Sequence, residues 1–377
     1  MSGALNWVIL GLSITSSWGN GHATTYRGLV RELCAQGHRV LFLERDMPWY
    51  AAQRDLPAPP YGQTRLYDSL EELKDRYADA VRDADVVVVG SYVPDGIEVG
   101  RWAQREARGL VAFYDIDTPV TLAALKRGAC EYLSPALIPG YGIYLSFTGG
   151  PTLTHLERHY RAPRARALYC SVDAEAYTPQ ALPLRWDLGY MGTYSADRQP
   201  PLERLLLTPA RADTALRMIV AGPLYPADIA WPANVARTEH LPPAEHPAFY
   251  NAQRYTLNIT RADMVRLGYA PSVRLFEAAA CATPIISDWW AGLDTLFTPG
   301  REILVARESG EVRDYLRRIA DDERQRIGEA ARRRVLAEHT AAHRAAQLAD
   351  YAREALGEAA PTARSNNAFS AGAGGPT

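Results

Sequence analysis

The feature that most constrains the fold is a repeated alternation between short apolar segments and segments with helical spacing of apolar side chains. Short buried strands that alternate with amphipathic helices form a parallel sheet with helices on both faces. In the first half, the predicted strands are 6–13, 39–44, 85–89, 110–114, 141–147 and 166–170. The predicted helices of this half are 24–35, 71–80, 97–107 and 151–160.

The second half repeats the pattern after a polar, turn-rich segment at 172–179 (VDAEAYTP). Its predicted strands are 187–191, 216–220, 236–238, 255–259, 284–287 and 303–305, and its predicted helices lie near Leu202 and at 244–252, 272–282 and 310–320. A length of 377 residues suits two domains. We therefore expect an α/β fold of two Rossmann-like, doubly wound parallel-sheet domains.

The expected domain limits are 1–172 and 173–320. Residues 321–358 are rich in Ala, Arg and Glu, which predicts one or two exposed amphipathic helices. Residues 359–377 consist largely of Ala, Gly, Ser, Asn and Pro, which predicts a disordered tail.

Composition argues against several classes of function. Lys and Arg number 41 against 43 Asp and Glu, a net charge of -2, so we expect neither nucleic-acid binding nor attraction to an anionic membrane. No apolar stretch approaches the roughly 18 residues of a membrane span, and the run at 7–12 lacks the flanks of a signal peptide. Four widely spaced cysteines favour buried thiols in a reducing cytoplasm. Composition leaves the oligomeric state open.

Residues 274–288 (RLFEAAACATPIISD) predict an apolar helix that runs into a buried strand. We expect its carboxylate, Glu277, in the first turn, where the helix dipole favours an anion. A buried carboxylate is costly without a hydrogen-bond partner, so we also expect a partner for Glu277. Two simpler interpretations remain open. Glu277 either serves only its own helix, or pairs with Arg274 three positions earlier.

A glycine-containing loop, 16–25 (SSWGNGHATT), follows the first predicted strand. Gly19, Asn20 and Gly21 would let the backbone approach a ligand at the N-terminus of the next helix. The loop is neither GxGxxG nor GxxxxGK[ST], which argues against a nicotinamide or P-loop site. His22 lies at the carboxyl end of a strand, where open α/β sheets bind ligands. It either acts as a base near neutral pH or makes only a local hydrogen bond.

Two further loops of the first half carry candidate groups. Asp117 follows a strand and either contacts an acceptor, orients His22, or caps the next helix. A second loop forms either an anion-binding helix start or only a tight turn, and its residues are Thr148, Gly149 and Gly150.

Six segments together resemble the spore-maturation CgeB-like glycosyltransferases, which are related to the GT4-type and GT1-type transferases. The segments are 16–22 (SSWGNGH), 44–50 (ERDMPWY), 114–119 (YDIDTP), 146–151 (SFTGGP), 170–173 (CSVD) and 274–279 (RLFEAA). The resemblance covers about residues 6–320 and implies a GT-B fold, in which the two domains face a central cleft. It also implies that the helices at 321–358 cross back to the first domain.

The resemblance implies a nucleoside diphosphate sugar as co-substrate, with base unknown, and no other cofactor. Glu277 would hold the ribose hydroxyls, while Gly222 and Leu241 would border the base. The remaining donor-binding residues would lie near the diphosphate, and they are Gly192, Thr193, Arg198, Arg261, Ser272 and Arg274. Arginine suits this role because its planar fork binds two phosphate oxygens. The simpler interpretation of Arg198 is a solvated surface side chain.

On the acceptor side, the resemblance implies that His22 deprotonates an acceptor hydroxyl, with Asp117 beside it. The loops at 19–21 and 148–150 would contact acceptor or phosphate. The sequence DID at 115–117 resembles a metal-binding DxD, but that motif belongs to single-domain transferases, so we expect no metal ligands. GT4-type enzymes usually carry two glutamates eight positions apart, and the first falls at Tyr269 here. Whether the anomeric centre is inverted or retained therefore stays open.

The leading hypothesis is metal-independent transfer of a sugar from a nucleoside diphosphate to an unidentified hydroxyl or amine acceptor. A sugar-nucleotide epimerase of the same fold is the first alternative. A non-catalytic binding or coat protein that keeps the fold is the second. Fold alone does not separate the three, because one fold hosts many functions.

Overall fold

The computed structural model describes residues 3–18 and 21–359. Gly19, Asn20 and the predicted tail from residue 360 onward lie outside the described residues. The described strands form two parallel sheets, one in each half of the chain, which confirms the predicted fold class. We call the first sheet with its helices the N-lobe and the second the C-lobe.

The N-lobe sheet has seven strands in the order β3-β2-β1-β4-β5-β6-β7. Its strands are β1 (Asn6–Gly11), β2 (Arg39–Arg45), β3 (Gln63–Tyr67), β4 (Val86–Gly90), β5 (Leu110–Asp115), β6 (Ile143–Ser146) and β7 (Ala165–Ala167). Its helices are α1 (His22–Ala35), α2 (Pro48–Ala51), α3 (Leu70–Asp83), α4 (Gly96–Glu106), α5 (Thr118–Lys126) and α6 (Pro151–His159). The sequence did not predict β3, a half-exposed edge strand whose polar residues lack an apolar run.

The C-lobe sheet has six strands in the order β10-β9-β8-β11-β12-β13. Its strands are β8 (Trp186–Met191), β9 (Met218–Ala221), β10 (Val235–Thr238), β11 (Gln253–Asn258), β12 (Ile285–Ser287) and β13 (Leu304–Val305). The helices of this half are α7 (Gln199–Leu202), α8 (Thr208–Ala212), α9 (His246–Asn251), α10 (Ala262–Leu267), α11 (Val273–Ala280), α12 (Leu293–Leu296), α13 (Ser309–Arg318), α14 (Asp321–Glu338) and α15 (Ala341–Ala359). A π-helical turn, Glu203–Leu207, joins α7 to α8.

The last two helices lie in the range 321–358 for which the sequence predicts amphipathic helices, and each buries one face. α14 packs against α11, and α15 packs against α1 of the N-lobe. The buried face of α15 includes Ala345, Leu348, Ala349 and Ala352. These alanines let the two helix backbones approach closely, while a buried leucine contributes roughly 1.5–3 kcal/mol. The chain thus returns to its first lobe after completing the second.

The two lobes meet through loops that follow the carboxyl ends of their strands. Gly149, after β6, donates its N–H to the carbonyl oxygen of Tyr269 at 2.9 Å, and α10 packs against α5. Gly150 has a φ of 57°, and a Cβ there would lie 2.4 Å from the Tyr269 ring. A side chain would be strained and would clash at this position, so glycine permits the contact between lobes.

Among residues 3–18 and 21–359, no helix combines the length and apolarity needed to cross a bilayer. All four cysteines are free thiols.

Candidate functional site

Three arginines come together where loops of the C-lobe follow the carboxyl ends of its strands. Arg198 is 8% exposed and donates to Ser195 Oγ at 2.8 Å and to the carbonyl oxygen of Thr193. This burial excludes the simpler interpretation of Arg198 as a solvated surface side chain. Burial lowers the pKa of the Arg198 guanidinium, and the charges of Arg274 and Arg261 lower it further. The three positive charges therefore lie within electrostatic range of one another.

Within the described residues, none of these three arginines forms an ion pair with a carboxylate. Arg274 instead donates to the Met191 carbonyl oxygen and, at 2.9 Å, to Asn258 Oδ1. Asp288, whose pKa is raised by burial and lowered in part by Arg274, already accepts from the N–H and hydroxyl of Thr260. Arg198 is the buried member of the cluster. Burying a charge that forms no direct ion pair is costly, and an anionic ligand would relieve that cost.

Glu277 is buried at 5% exposure on α11. Tyr250 donates its hydroxyl to Glu277 Oε2 at 2.9 Å, which confirms the expected partner. Burial, followed by the Glu277 charge, raises the pKa of Tyr250 well above its usual value. The helix begins at Val273 with Ser272 as its N-cap, so the expected place of Glu277 in the first turn is wrong. Tyr250 thus holds one oxygen of this carboxylate.

The predicted pairing of Arg274 with Glu277 is absent among the described ion pairs, because the guanidinium turns towards β8 and β11. Ser272 Oγ accepts weakly from the Arg274 N–H at 3.4 Å. The two ends of α11 therefore serve different neighbours. Its start places Arg274 in the arginine cluster, and its second turn buries Glu277.

The glycine loops of the C-lobe pack directly on one another. A Cβ at Gly222, whose φ is 146°, would lie 2.1 Å from the carbonyl oxygen of Gly192. Thr193 is exposed, and its carbonyl oxygen is occupied by Arg198. The carbonyl oxygen of Leu241 lies 3.2 Å from His246 Nε2. Gly192 and Gly222 thus border the arginine cluster, and the Leu241 loop contacts His246.

Sequence reasoning missed a stacked cluster beside these loops. The Arg237 guanidinium lies 4.0 Å from the Tyr225 ring centroid and 4.3 Å from that of Trp231. It also donates to the Gly222 carbonyl oxygen at 3.2 Å, while the Tyr225 hydroxyl donates to the Gly192 carbonyl oxygen at 3.1 Å. No spacing rule links these three residues, because they come from β10 and from an irregular loop.

His22 is the first residue of α1 and is buried at 9% exposure. Burial lowers its pKa from 6.5 to about 4, so the imidazole is neutral at pH 7. Within the described part of the chain, His22 Nδ1 has no hydrogen-bond partner. The alternative of a local helix-start hydrogen bond through Nδ1 is therefore not seen. Gly21 precedes it as N-cap and is exposed.

Asp117 lies at the N-cap position of α5, but its side chain makes no capping hydrogen bond. It accepts instead from the Tyr92 hydroxyl at 3.3 Å. Burial raises the pKa of Asp117, and the positive charge of Arg261 opposes that rise. Arg261 belongs to the C-lobe, so the two lobes bring opposite charges towards each other here. The ring of Tyr92 also contacts His22, at 5.4 Å between centroids.

Asp115, the other carboxylate of the DID sequence, is fully buried. Tyr144 donates to its Oδ2 at 2.5 Å, and Thr121 donates to its Oδ1 at 2.6 Å. Burial raises the pKa of Asp115 to about 6. Both of its oxygens are used inside the N-lobe. The described residues contain no group of three or more His, Cys, Asp or Glu placed to hold a metal ion.

The loop at 148–150 contacts the C-lobe. The Gly149 N–H is engaged by Tyr269, and Gly150 packs against the ring of that tyrosine. Thr148 is fully buried, and its hydroxyl has no partner among the described residues. Tyr269 itself has a φ of 49°. This loop therefore serves the contact between lobes.

A buried carboxylate that the sequence did not single out organises the loop after β1. Glu44 accepts from the hydroxyls of Ser13 and Thr15 and from the N–H groups of Ile14 and Thr15, at 2.6 to 3.0 Å. Four donors fully satisfy the charge. The loop leading to His22 is thus anchored to β2.

Parallel sheets, facing strand-end loops and similarity to solved structures together define the GT-B fold. Residues 198–350 match the family described as Glycosyl transferase-like, so the C-terminal part of the chain contains a glycosyl transferase-like domain. No curated protein matches the chain significantly.

Three solved structures illustrate the likeness. Sucrose-phosphate synthase from Thermosynechococcus elongatus is 14% identical, with 94% of this chain and 100% of that chain covered and a TM-score of 0.65. Anabaena HepE in complex with UDP and glucose is 11% identical, with 93% and 100% covered and a TM-score of 0.69. A trehalose-6-phosphate protein from E. coli bound with UDP-2-fluoro glucose is 12% identical, with 93% and 99% covered and a TM-score of 0.64. At these identities the likeness establishes the fold.

Proposed function

We propose that this protein is a glycosyltransferase that moves a sugar from a nucleoside diphosphate sugar to a hydroxyl or amine acceptor. The observation that carries the proposal is the cluster of Arg198, Arg261 and Arg274 at the strand-end loops of the C-lobe, none of which forms a direct ion pair among the described residues. A diphosphate supplies the missing negative charge, and guanidinium groups bind its oxygens in pairs. The match of residues 198–350 to a glycosyl transferase-like family supports the same conclusion.

In this proposal the C-lobe binds the donor. Glu277, held by Tyr250, accepts from the ribose hydroxyls, and Ser272 lies at the start of the same helix. Gly192 and Thr193 face the diphosphate, while Gly222 and Leu241 border the base. The stack of Tyr225, Arg237 and Trp231 supports these loops from behind. Two of the similar structures are complexes with UDP or a UDP sugar, so uridine nucleotides are the first donors to test.

The N-lobe presents the acceptor in this proposal. His22 accepts the proton of the acceptor hydroxyl as the acceptor oxygen attacks the anomeric carbon, and the nucleoside diphosphate leaves onto the arginine cluster. The Asp117 carboxylate, held by the Tyr92 hydroxyl, lies beside this base at the acceptor side of the cleft. We extend the proposal to metal independence, because three guanidinium groups can neutralise the leaving diphosphate. The loops at 19–21 and 148–150 border this region.

The domain limits 1–172, 173–320 and 321–358 belong to the same proposal. The crossing of α15 to the N-lobe supports the last limit. The resemblance to CgeB-like transferases also stays a proposal. We further propose a cytoplasmic location, supported by four free thiols.

The test is binding and turnover with purified protein against UDP-, GDP-, dTDP- and ADP-sugars. Arg261→Ala is the sharpest variant because Arg261 is exposed, so its loss leaves the fold intact. Arg266→Ala is the matched control, since Arg266 lies in the last turn of α10, the helix that Arg261 precedes, and pairs with Asp263. We expect Arg261→Ala to weaken nucleotide binding about tenfold or more, the value of one charged hydrogen bond, and Arg266→Ala to leave it unchanged.

Product analysis without acceptor separates the alternatives. A transferase leaves the donor sugar unchanged or hydrolyses it, whereas an epimerase interconverts two donors. Absence of binding for every nucleotide, or equal effects of the two arginine variants, would contradict the proposal.

A further inference from the structure

Tyr92, between β4 and α4, adopts an unusual backbone conformation. Its φ is 62°, in the left-handed region that bulky residues rarely occupy. Such a conformation costs about 1–3 kcal/mol and persists only where surrounding contacts determine it. The contacts of the Tyr92 side chain therefore need an explanation.

The Tyr92 side chain contacts two candidate catalytic residues that come from different loops. The Tyr92 ring meets the His22 ring edge-to-face, with centroids 5.4 Å apart and planes at 84°. The Tyr92 hydroxyl donates to Asp117 Oδ2 at 3.3 Å. His22 follows the loop after β1, and Asp117 follows β5. No direct hydrogen bond joins His22 to Asp117 among the described residues, so Tyr92 makes the connection.

A buried network supports Tyr92 from behind. The ring of Tyr132 lies 4.5 Å from that of Tyr92, and the Tyr132 hydroxyl lies 2.8 Å from Thr121 Oγ1. Thr121 donates to Asp115 at 2.6 Å, and Tyr144 donates to the other Asp115 oxygen at 2.5 Å. Each hydroxyl of this network has a hydrogen-bond partner, so the network fixes the position of the Tyr92 ring.

Several charged and titratable groups surround the side chains of Tyr92, His22 and Asp117. Asp117, Asp115 and Tyr132 face the Tyr92 hydroxyl, and Arg261 of the C-lobe faces Asp117. His22 meets no charged group at close range, and burial alone lowers its pKa. The Tyr92 ring supplies part of that burial.

We infer that Tyr92 is a positioning residue for the acceptor site, where its ring packs against the ring of His22 and its hydroxyl holds the Asp117 carboxylate. A base and a carboxylate are thereby fixed relative to each other at the edge of the cleft. This inference rests on the proposed function for its catalytic meaning. The contacts of Tyr92 with His22 and Asp117 do not depend on which reaction the protein catalyses.

The first experiment titrates His22 by NMR in the full-length protein labelled with ¹⁵N-histidine, with His22→Gln to assign its signal. In the wild type we expect a midpoint near pH 4. Tyr92→Ala opens the face of the imidazole to water, so the midpoint should rise towards 6.5. Tyr92→Phe keeps the ring and should leave the midpoint low. Tyr160→Ala, which removes a half-buried N-lobe tyrosine elsewhere, is the control and should leave His22 unchanged.

The second experiment uses Tyr92→Phe, which preserves packing if Tyr92→Ala does not fold. Loss of one hydrogen bond to a charged group should lower turnover about tenfold without weakening nucleotide binding. The hydroxyl lowers the pKa of Asp117, so its removal should move the acidic limb of the pH–rate profile to higher pH. A merely structural tyrosine would change stability and leave that limb in place.

An unchanged His22 midpoint in folded Tyr92→Ala, or an unchanged pH–rate profile in Tyr92→Phe, would overturn the inference while leaving glycosyl transfer intact. Failure of the wild type to bind any nucleotide would overturn the proposed function instead. The NMR titration separates the two failures, because it needs neither donor nor acceptor.

Discussion

Arg198 provides the most direct test of the anion site, because its charge should oppose folding and favour binding. Burial and the charges of Arg274 and Arg261 lower its pKa, so the folded protein holds this proton less tightly than the unfolded chain. Arginine stays protonated near neutral pH, and the unfavourable contribution is present there. Arg198→Met removes the charge and keeps much of the side-chain volume.

Two contributions set the expected change in the free energy of unfolding. Replacing a buried charge by an apolar residue of similar volume stabilises by about 1–4 kcal/mol. The variant loses the hydrogen bonds to Ser195 and Thr193, which are worth about 1 kcal/mol each. We therefore expect a net change between roughly -1 and +2 kcal/mol. Nucleotide binding should weaken far more, by about 3 kcal/mol or roughly 150-fold for two lost phosphate hydrogen bonds.

The assay combines urea unfolding with calorimetric titration of the tightest binder among UDP, GDP, dTDP and ADP. Arg318→Met is the control, since Arg318 is exposed on α13 and pairs with Asp314 away from the site. A loss of stability above about 2 kcal/mol, together with unchanged nucleotide affinity, would identify Arg198 as a structural residue and refute the reasoning.

Three further predictions concern the contact between lobes, a buried acid and the ribose contact. Gly150→Ala should destabilise by about 1–3 kcal/mol in urea unfolding, from strain and the clash with Tyr269, and by clearly more than Gly128→Ala, which has a positive φ but open space. Burial raises the pKa of Asp115 from 3.8 to about 6, so its stabilising contribution is complete below pH 4 and is lost as pH rises to 6. Wild-type stability should therefore fall relative to Asp115→Asn over that interval, by on the order of 3 kcal/mol, and parallel curves would contradict this. Glu277→Gln should weaken nucleoside diphosphate binding about tenfold and leave inorganic pyrophosphate binding unchanged, whereas equal losses for both ligands would rule out a ribose contact.

Much of the fold was predictable because it depends on local pattern. Runs such as Val86–Gly90 are buried on both faces and read as strands without any tertiary information. The edge strand Gln63–Tyr67 escaped prediction because its stability comes from pairing with β2 and not from its own residues. The amphipathic helices at 321–358 were predicted, but the residues of the buried face, including Ala345 and Leu348, were not, since alanine suits buried and exposed helix faces equally.

The site was predictable only in part. The carboxylate at Glu277 and the need for a partner followed from the cost of burying a charge. The identity of that partner, Tyr250, did not follow, because it lies 27 positions away on another helix. The sequence also did not predict the stacking of Arg237, because the rings it contacts come from an irregular loop.

The sequence by itself determined which segments become strands and helices, and which polar residues stand at strand ends, because periodicity and turn chemistry act over a few residues. Only the tertiary structure decided that three arginines without direct ion pairs share one region and that Tyr92 joins His22 to Asp117. The physical reason is that charge repulsion, burial and ring contact depend on distances in space. Two lobes folded from separate stretches of chain set those distances.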